Sequence, residues 1–197
     1  MNFPPECIVI GTKNPDKARE VEAVLAAALP EIPLVVGMEW EDVEETGDTL
    51  EENALLKAHA VAAATGLPTV ADDTGLEVDA LGGDPGVRTS RFAGPDGEYA
   101  ANRAALLAAM AEHGDRRARF RSVVALVDPA GGEIIVEGTL EGTITREERG
   151  SSGFGYDCIF EVDGRTLAEI PEGEKNRISH RANALQTLIA ALDAASD

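Results

Sequence analysis

The chain is expected to fold as one α/β domain, residues 1–197, with a mixed central sheet and flanking helices. Three observations lead there. Short β-branched runs alternate with helix-length periodic segments in the first half, two strand-like stretches joined by a Pro/Gly turn follow, and 197 residues at 44% apolar content suit a single core. Strand–helix–strand units supply the parallel part of the sheet and the hairpin supplies the antiparallel part.

Cys7-Ile8-Val9-Ile10-Gly11 is short and apolar, the pattern of a buried strand. Asn14 and Pro15 then give an N-cap and a first-turn proline, and Val21, Val24, Leu25, Ala28 and Leu29 recur at helical spacing up to Pro30. Leu34-Val35-Val36 reads as a second strand, followed by an acidic, irregular stretch over Glu39–Gly47. Thr49-Leu50-Glu51-Glu52 is a capping-box pattern opening an alanine-rich helix that ends near Gly66. Pro68-Thr69-Val70-Ala71 is a third strand, expected to deliver Asp72-Asp73-Thr74-Gly75 as a tight turn at its carboxyl end. Leu81–Gly97, rich in Gly and Pro, reads as a long ordered loop, and Ala100–His113 as a helix. Phe120–Asp128 and Glu133–Glu141 form the hairpin, Gly150–Gly155 a glycine loop, Ile159–Val162 a strand and Ser179–Ala195 a terminal helix.

Composition narrows the function. Seventeen Lys+Arg against thirty-six Asp+Glu give a formal charge of −19, which repels polyanions over most of the surface and argues against nucleic acid as a partner. A small phosphate ligand is admissible only where donors, cations or a metal reverse that field locally. Cys7 and Cys158 form no CxxC pair, so neither a disulfide framework nor a zinc site is indicated, and a reducing cytoplasm is expected. Residues 1–6 lack the basic start and apolar run of a signal peptide, and no stretch approaches the length of a membrane span.

Five clusters could carry chemistry, and each also has a plainer reading. Thr12-Lys13-Asn14-Pro15-Asp16-Lys17 turns from strand to helix beside a hydroxyl and two lysines, which suits phosphate; an ordinary capped helix uses the same residues. It is not a P-loop, because GxxxxGK[ST] is absent. Asp72 and Asp73 are adjacent carboxylates that repel unless a cation or proton intervenes, and a hard ion such as Mg²⁺ relieves that repulsion. A solvated acidic turn is the alternative. Glu44-Glu45-Thr46-Gly47 offers a further carboxylate, against a strong background of solvated acids. Ser151-Ser152-Gly153-Phe154-Gly155-Tyr156-Asp157 sets two of only eight aromatics in one glycine loop, where a ring can face a ligand or simply pack on the core. Lys175-Asn176-Arg177-Ile178-Ser179-His180-Arg181 gathers cations at an expected helix start, where the dipole disfavours them unless something anionic or carbonyl-bearing compensates. His59 and His113 have no metal-like partner and read as ordinary helix residues.

Taken together, the patterns TxNxxK, EETGDTxEENAxxKA, ADDTGLxVDALGGxPGV, GFGYDCIF and SHR stand in one order that resembles the ITPase-like (HAM1-type) family of purine nucleoside triphosphate pyrophosphatases. The resemblance runs from Ile8 to Leu192. It implies a long central sheet, two lobes around a cleft, and usually a homodimer. It further implies hydrolysis of deaminated triphosphates such as ITP, dITP and XTP to monophosphate and pyrophosphate, with Mg²⁺ as cofactor. By resemblance, Thr12, Asn14 and Lys17 hold the triphosphate, Lys57 adds a cation, and Lys13, Pro15, Asp16 and Thr74 also bind the substrate. Glu45, Asp72 and Asp73 surround the magnesium and Asp73 is the general base. Phe154 stacks on the purine, with Gly155, Tyr156, Asp157, Lys175, His180 and Arg181 around it. Donors there satisfy a six-carbonyl and oppose the amino group of adenine; guanine shares the carbonyl, so its exclusion requires a further feature at the two-amino group.

The chain departs from the family pattern at Cys158, where proline is usual, at Arg88, where an aromatic is common, and at Lys13, an extra cation. Two other functions use the same scaffold: a triphosphate pyrophosphatase with little base preference, and a silent nucleotide-binding or sensor protein, against which the intact Asp72-Asp73 pair and Lys17 argue.

Overall fold

A computed structural model describes residues 5–95 and 97–196. The first four residues, part of the stretch read as lacking a signal peptide, Asp96 within the Leu81–Gly97 loop, and Asp197 lie outside the described residues. The chain divides into two compact units. The first comprises residues up to Asp73, Ser122–Gly138 and residues from His180 onward; the second comprises Thr74–Arg121 and Thr139–Ser179.

In the first unit, β1 (Ile8–Ile10) pairs in parallel with β2 (Leu34–Val35) on one side and with β3 (Thr69–Val78) on the other. Helix α1 (Pro15–Ala28) starts where the sequence places it: the Asn14 side chain accepts from the N–H groups of Asp16 and Lys17, and proline fills the first turn. Helix α2 (Leu50–Thr65) opens on a complete capping box between Thr49 and Glu52. The core of this unit joins Ile8 and Ile10 of β1, Val21 and Leu25 of α1, Val70 of β3, and Leu185, Leu188 and Leu192 of the terminal helix.

The second unit contains β4 (Pro85–Gly86), antiparallel to β3, and α3 (Tyr99–Ala109). Strands β5 (Arg117–Val127) and β6 (Glu133–Ile144) run through the unit boundaries as neighbours in the sheet. Asp128 N–H donates to Gly132 O and Ile144 N–H to Arg116 O, a rising number opposite a falling one, so the expected hairpin is antiparallel. β7 (Phe160–Val162) extends the sheet antiparallel to β6, and β8 (Arg165–Thr166) adds antiparallel to β7. Helix α4 (Glu172–Ile178) precedes α5 (His180–Ser196), which returns to the first unit. Leu76, Leu106, Phe120, Ile159, Phe160 and Leu167 form the second unit's core, and the Phe120 and Phe160 rings lie 4.6 Å apart.

Three sequence expectations change. Asp72-Asp73-Thr74-Gly75 is not a turn: these residues lie inside β3, which continues to Val78. Two consecutive carboxylates break an apolar run and so resemble a strand end, but here buried cations neutralise them and the strand persists. Lys175 and Arg177 sit in the last turn of α4 rather than at a helix start, where the dipole favours cations; only His180 and Arg181 open α5. Within the Leu81–Gly97 stretch, β4 and a short 3-10 turn at Thr89–Arg91 stand where the sequence reads as loop throughout. One close approach shapes the first unit: a Cβ at Gly138 of β6 would fall 2.1 Å from the Ala184 amide nitrogen, so only glycine lets the strand lie against the start of α5.

Candidate active site

In the first unit, β1 and β3 bring two lysines and three carboxylates together. Lys17, on the first turn of α1, places its ammonium 3.2 Å from Asp72 Oδ2. Arg181, on the first turn of α5 and 2% exposed, donates Nε and Nη2 to the same oxygen at 3.2 and 3.1 Å, while its Nη1 donates to Glu20 of α1. Lys57, on α2, donates to Asp73 Oδ1 at 3.0 Å and to Glu45 Oε1 at 2.8 Å. Asn53, fully buried one turn before Lys57, donates to Asp73 Oδ2 at 3.3 Å and accepts from Gly47 N–H at 2.8 Å, tying the acidic stretch to α2.

The charges tune one another. Burial alone would raise the Asp72 carboxyl, but Lys17, Arg181 and Lys57 outweigh it and hold the group well below the usual carboxylate range. Asp73 goes the other way, because burial and the nearby Glu45 outweigh Lys57 and Lys17, and its carboxyl is raised. Lys17 is lowered by burial, which Asp72 offsets only in part, with Lys57 and Arg181 adding to the depression. For Lys57 the attraction of Asp73 and Glu45 exceeds the burial penalty, and its ammonium is strengthened. Two adjacent aspartates thus have opposite tendencies, one firmly ionised and one pushed toward proton acceptance.

The start of α1 is closed by its own cap. Asn14 Oδ1 takes the N–H groups of Asp16 and Lys17 at 2.9 and 3.3 Å, Ala18 N–H donates to the Asn14 carbonyl, and Pro15 has no N–H. The helix-start amides are therefore already satisfied, and any affinity of this end for an anion falls to side chains. Thr12 Oγ1 accepts from Asn14 N–H at 3.2 Å and braces the cap. Lys13 pairs with the exposed Asp42, and Asp16 with Arg19. His59 pairs with Glu133 at the surface, as its helix position suggests.

In the second unit, the glycine loop is folded around Asp157, whose Oδ2 accepts from Phe154 N–H at 2.9 Å and from Lys175 Nζ at 2.5 Å. Gly153 and Gly155 take φ of 74° and 61°, left-handed values that permit the tight turn, and a Cβ on Gly153 would fall 2.1 Å from the Asp157 carboxylate. The Lys175 ammonium lies 4.9 Å from the Phe154 ring centre. The Tyr156 hydroxyl donates to the Thr89 carbonyl at 2.9 Å, and burial pushes it far above the ordinary phenol range.

The structure thus gathers Phe154, Gly155, Tyr156, Asp157 and Lys175 in one unit, which also holds Thr74, and Thr12, Lys17, Glu45, Lys57, Asp72, Asp73, His180 and Arg181 in the other. Sequence reasoning missed Glu20 and Asn53. Asn53 lies within the EENA pattern, and Glu20 stands three residues after Lys17 on the α1 face that carries Val21.

Fold and site together define an α/β protein with a mixed sheet and a buried carboxylate–lysine centre. The comparisons go further. The chain belongs to the Ham1 family, whose model matches residues 8–191. A dITP/XTP pyrophosphatase of Symbiobacterium thermophilum is 50% identical over 192 residues, spanning 95% of this chain and 95% of its own length. One from Bacillus licheniformis is 45% identical across 95% of this chain and 98% of its own. The solved structure of a HAM1 protein from Coxiella burnetii superposes with a TM-score of 0.85 at 42% identity, covering 95% of this chain and 98% of that one.

Proposed function

We propose that the protein hydrolyses deaminated purine nucleoside triphosphates, dITP, ITP and XTP, to the monophosphate and pyrophosphate, in a magnesium-dependent reaction. Membership of the Ham1 family and near-full-length similarity to dITP/XTP pyrophosphatases support the activity. The observation that carries the mechanism is the pairing of Lys17 with Asp72 and of Lys57 with Asp73 and Glu45.

The donor set suits a hard cation. Glu45 and Asp73 both reach the single point occupied by Lys57 Nζ, so two carboxylates already converge on a positive charge. Among the described residues no three His, Cys, Asp or Glu side chains gather closely enough to hold an ion by themselves. Magnesium takes one or two carboxylates from a protein and completes its shell with phosphate oxygens and water. When bound, magnesium neutralises phosphate charge and polarises the phosphoryl group under attack. Asp73, raised by burial, takes the proton of the attacking water. Lys17 and Lys57 stabilise the negative charge that builds on the departing pyrophosphate, and Thr12 and Asn14 hold the turn from which Lys17 projects. Arg181 and Glu20 keep Asp72 ionised and oriented.

Phe154 offers a ring for stacking the purine. Lys175 and His180 supply donors that match a carbonyl at position six and meet the amino group of adenine donor to donor. We further assign the whole chain to one functional unit acting as a homodimer in the cytoplasm without nucleic-acid partners; the −19 charge supports the last point, and no helix among the described residues is long and apolar enough to cross a membrane. Rates of pyrophosphate release from ITP, XTP, ATP and GTP, measured side by side, test the selectivity: strong preference for ITP and XTP is expected, and equal rates for all four favour an unselective pyrophosphatase instead.

A further inference from the structure

Helix α3 grips the loop that carries Phe154. Arg103 donates Nε to Glu148 Oε1 at 2.8 Å and Nη2 to Glu148 Oε2 at 3.3 Å, a two-pronged pairing that fixes the guanidinium plane. Its remaining arm, Nη1, donates to the Gly155 carbonyl at 3.1 Å. One helical turn before Arg103, Tyr99 sets its ring 6.0 Å from that of Phe154 at an interplanar angle of 41°. Positions four apart share one face of a helix, so α3 presents a ring to the Phe154 side chain and a cation to the next backbone carbonyl.

An ion pair at the rim of a protein contributes little by itself. What sets Arg103 apart is that the Glu148 fork aims its third donor at Gly155, a residue at φ 61° directly after Phe154. The Phe154 peptide is thus pinned at both ends: its N–H by Asp157 and the following carbonyl by Arg103. Neither Arg103 nor Tyr99 belongs to the sequence patterns that carry the family resemblance.

We propose that Arg103, with Tyr99 beside it, is a positioning residue for base recognition: by holding the Gly155 carbonyl it fixes the plane of the Phe154 ring on which the purine stacks. This rests on the assignment of Phe154 to base stacking. Arg103 touches no reacting atom, so it acts on substrate affinity and not on the chemical step.

The test is a double-mutant cycle on ITP hydrolysis with Arg103→Ala, Phe154→Ala and both together. Arg103→Ala is expected to raise KM about tenfold and leave kcat within about twofold, the size of one lost charged hydrogen bond. On the Phe154→Ala background the same change is expected to add less than about twofold, since the ring it positions is gone. Tyr99→Ala, at a side chain 38% exposed and tolerant of truncation, is a second probe should Arg103→Ala fold poorly. It is expected to raise KM about threefold, again only while Phe154 is present. A wild-type KM in both single variants of α3, or an equal rise with and without Phe154, overturns the proposal. A wild-type KM in Phe154→Ala overturns the stacking assignment beneath it, a result distinct from the other two.

Discussion

The two units solve the problem of a precise site in different ways. In the first, position follows from charge: Asp72, Asp73, Glu45, Lys17, Lys57 and Arg181 come from five separate segments, and each is neutralised by another member of the group. In the second, position follows from backbone: Asp157 and Arg103 hold the two ends of a glycine turn, and a buried ion pair, Lys175 with Asp157, adds to it. A charge-built centre tolerates no missing partner, because the group left behind is buried and uncompensated. A backbone-built loop loses aim before it loses stability. On the proposed function, a chain of charge −19 would meet a tetra-anionic ligand through lysines that are locally matched to carboxylates which a divalent ion could take over.

This contrast can be broken at several points. The largest effect is expected for Asp73→Asn, which keeps size and polarity but removes the proton acceptor: turnover of ITP should fall by about 10³-fold or more while binding measured by calorimetry changes little. Near-normal turnover would remove Asp73 as base. Next, Arg181→Ala removes the buried cation that Asp72 and Glu20 share and should cost about 3–5 kcal/mol in denaturant unfolding, with loss of activity following from loss of fold. A cost below about 1 kcal/mol would show that the first unit is not charge-built. In the second unit, Lys175→Ala should lower the preference for ITP over ATP by about tenfold through the lost donor. Equal losses for both nucleotides would assign Lys175 to general affinity instead. The smallest effect belongs to Arg117→Ala, where an exposed pair with Asp115 is removed; the denaturant midpoint should be indistinguishable from that of wild type.

Much of this was legible in the sequence, unevenly. Caps and periodic faces announced α1, α2 and α5, because Asn14-Pro15, the Thr49–Glu52 box and the Leu185–Leu192 stripe are local signals. The extent of β3 was not, since its aspartates persist in a strand only through cations that arrive from α1, α2 and α5. Helix α4 escaped because seven residues containing Gly173 and four charged side chains show no apolar period. Glu20 and Arg103 escaped for a related reason: a single charged residue on a helix face carries no pattern until its partner is seen.

The central claim, that the charge-paired centre releases pyrophosphate with help from a divalent ion, is tested most directly by phosphorus NMR of the products formed from ITP with and without Mg²⁺. Inosine monophosphate and pyrophosphate, formed only when the metal is present, are the predicted products. Orthophosphate and inosine diphosphate, or cleavage that persists unchanged in chelator, would contradict the account.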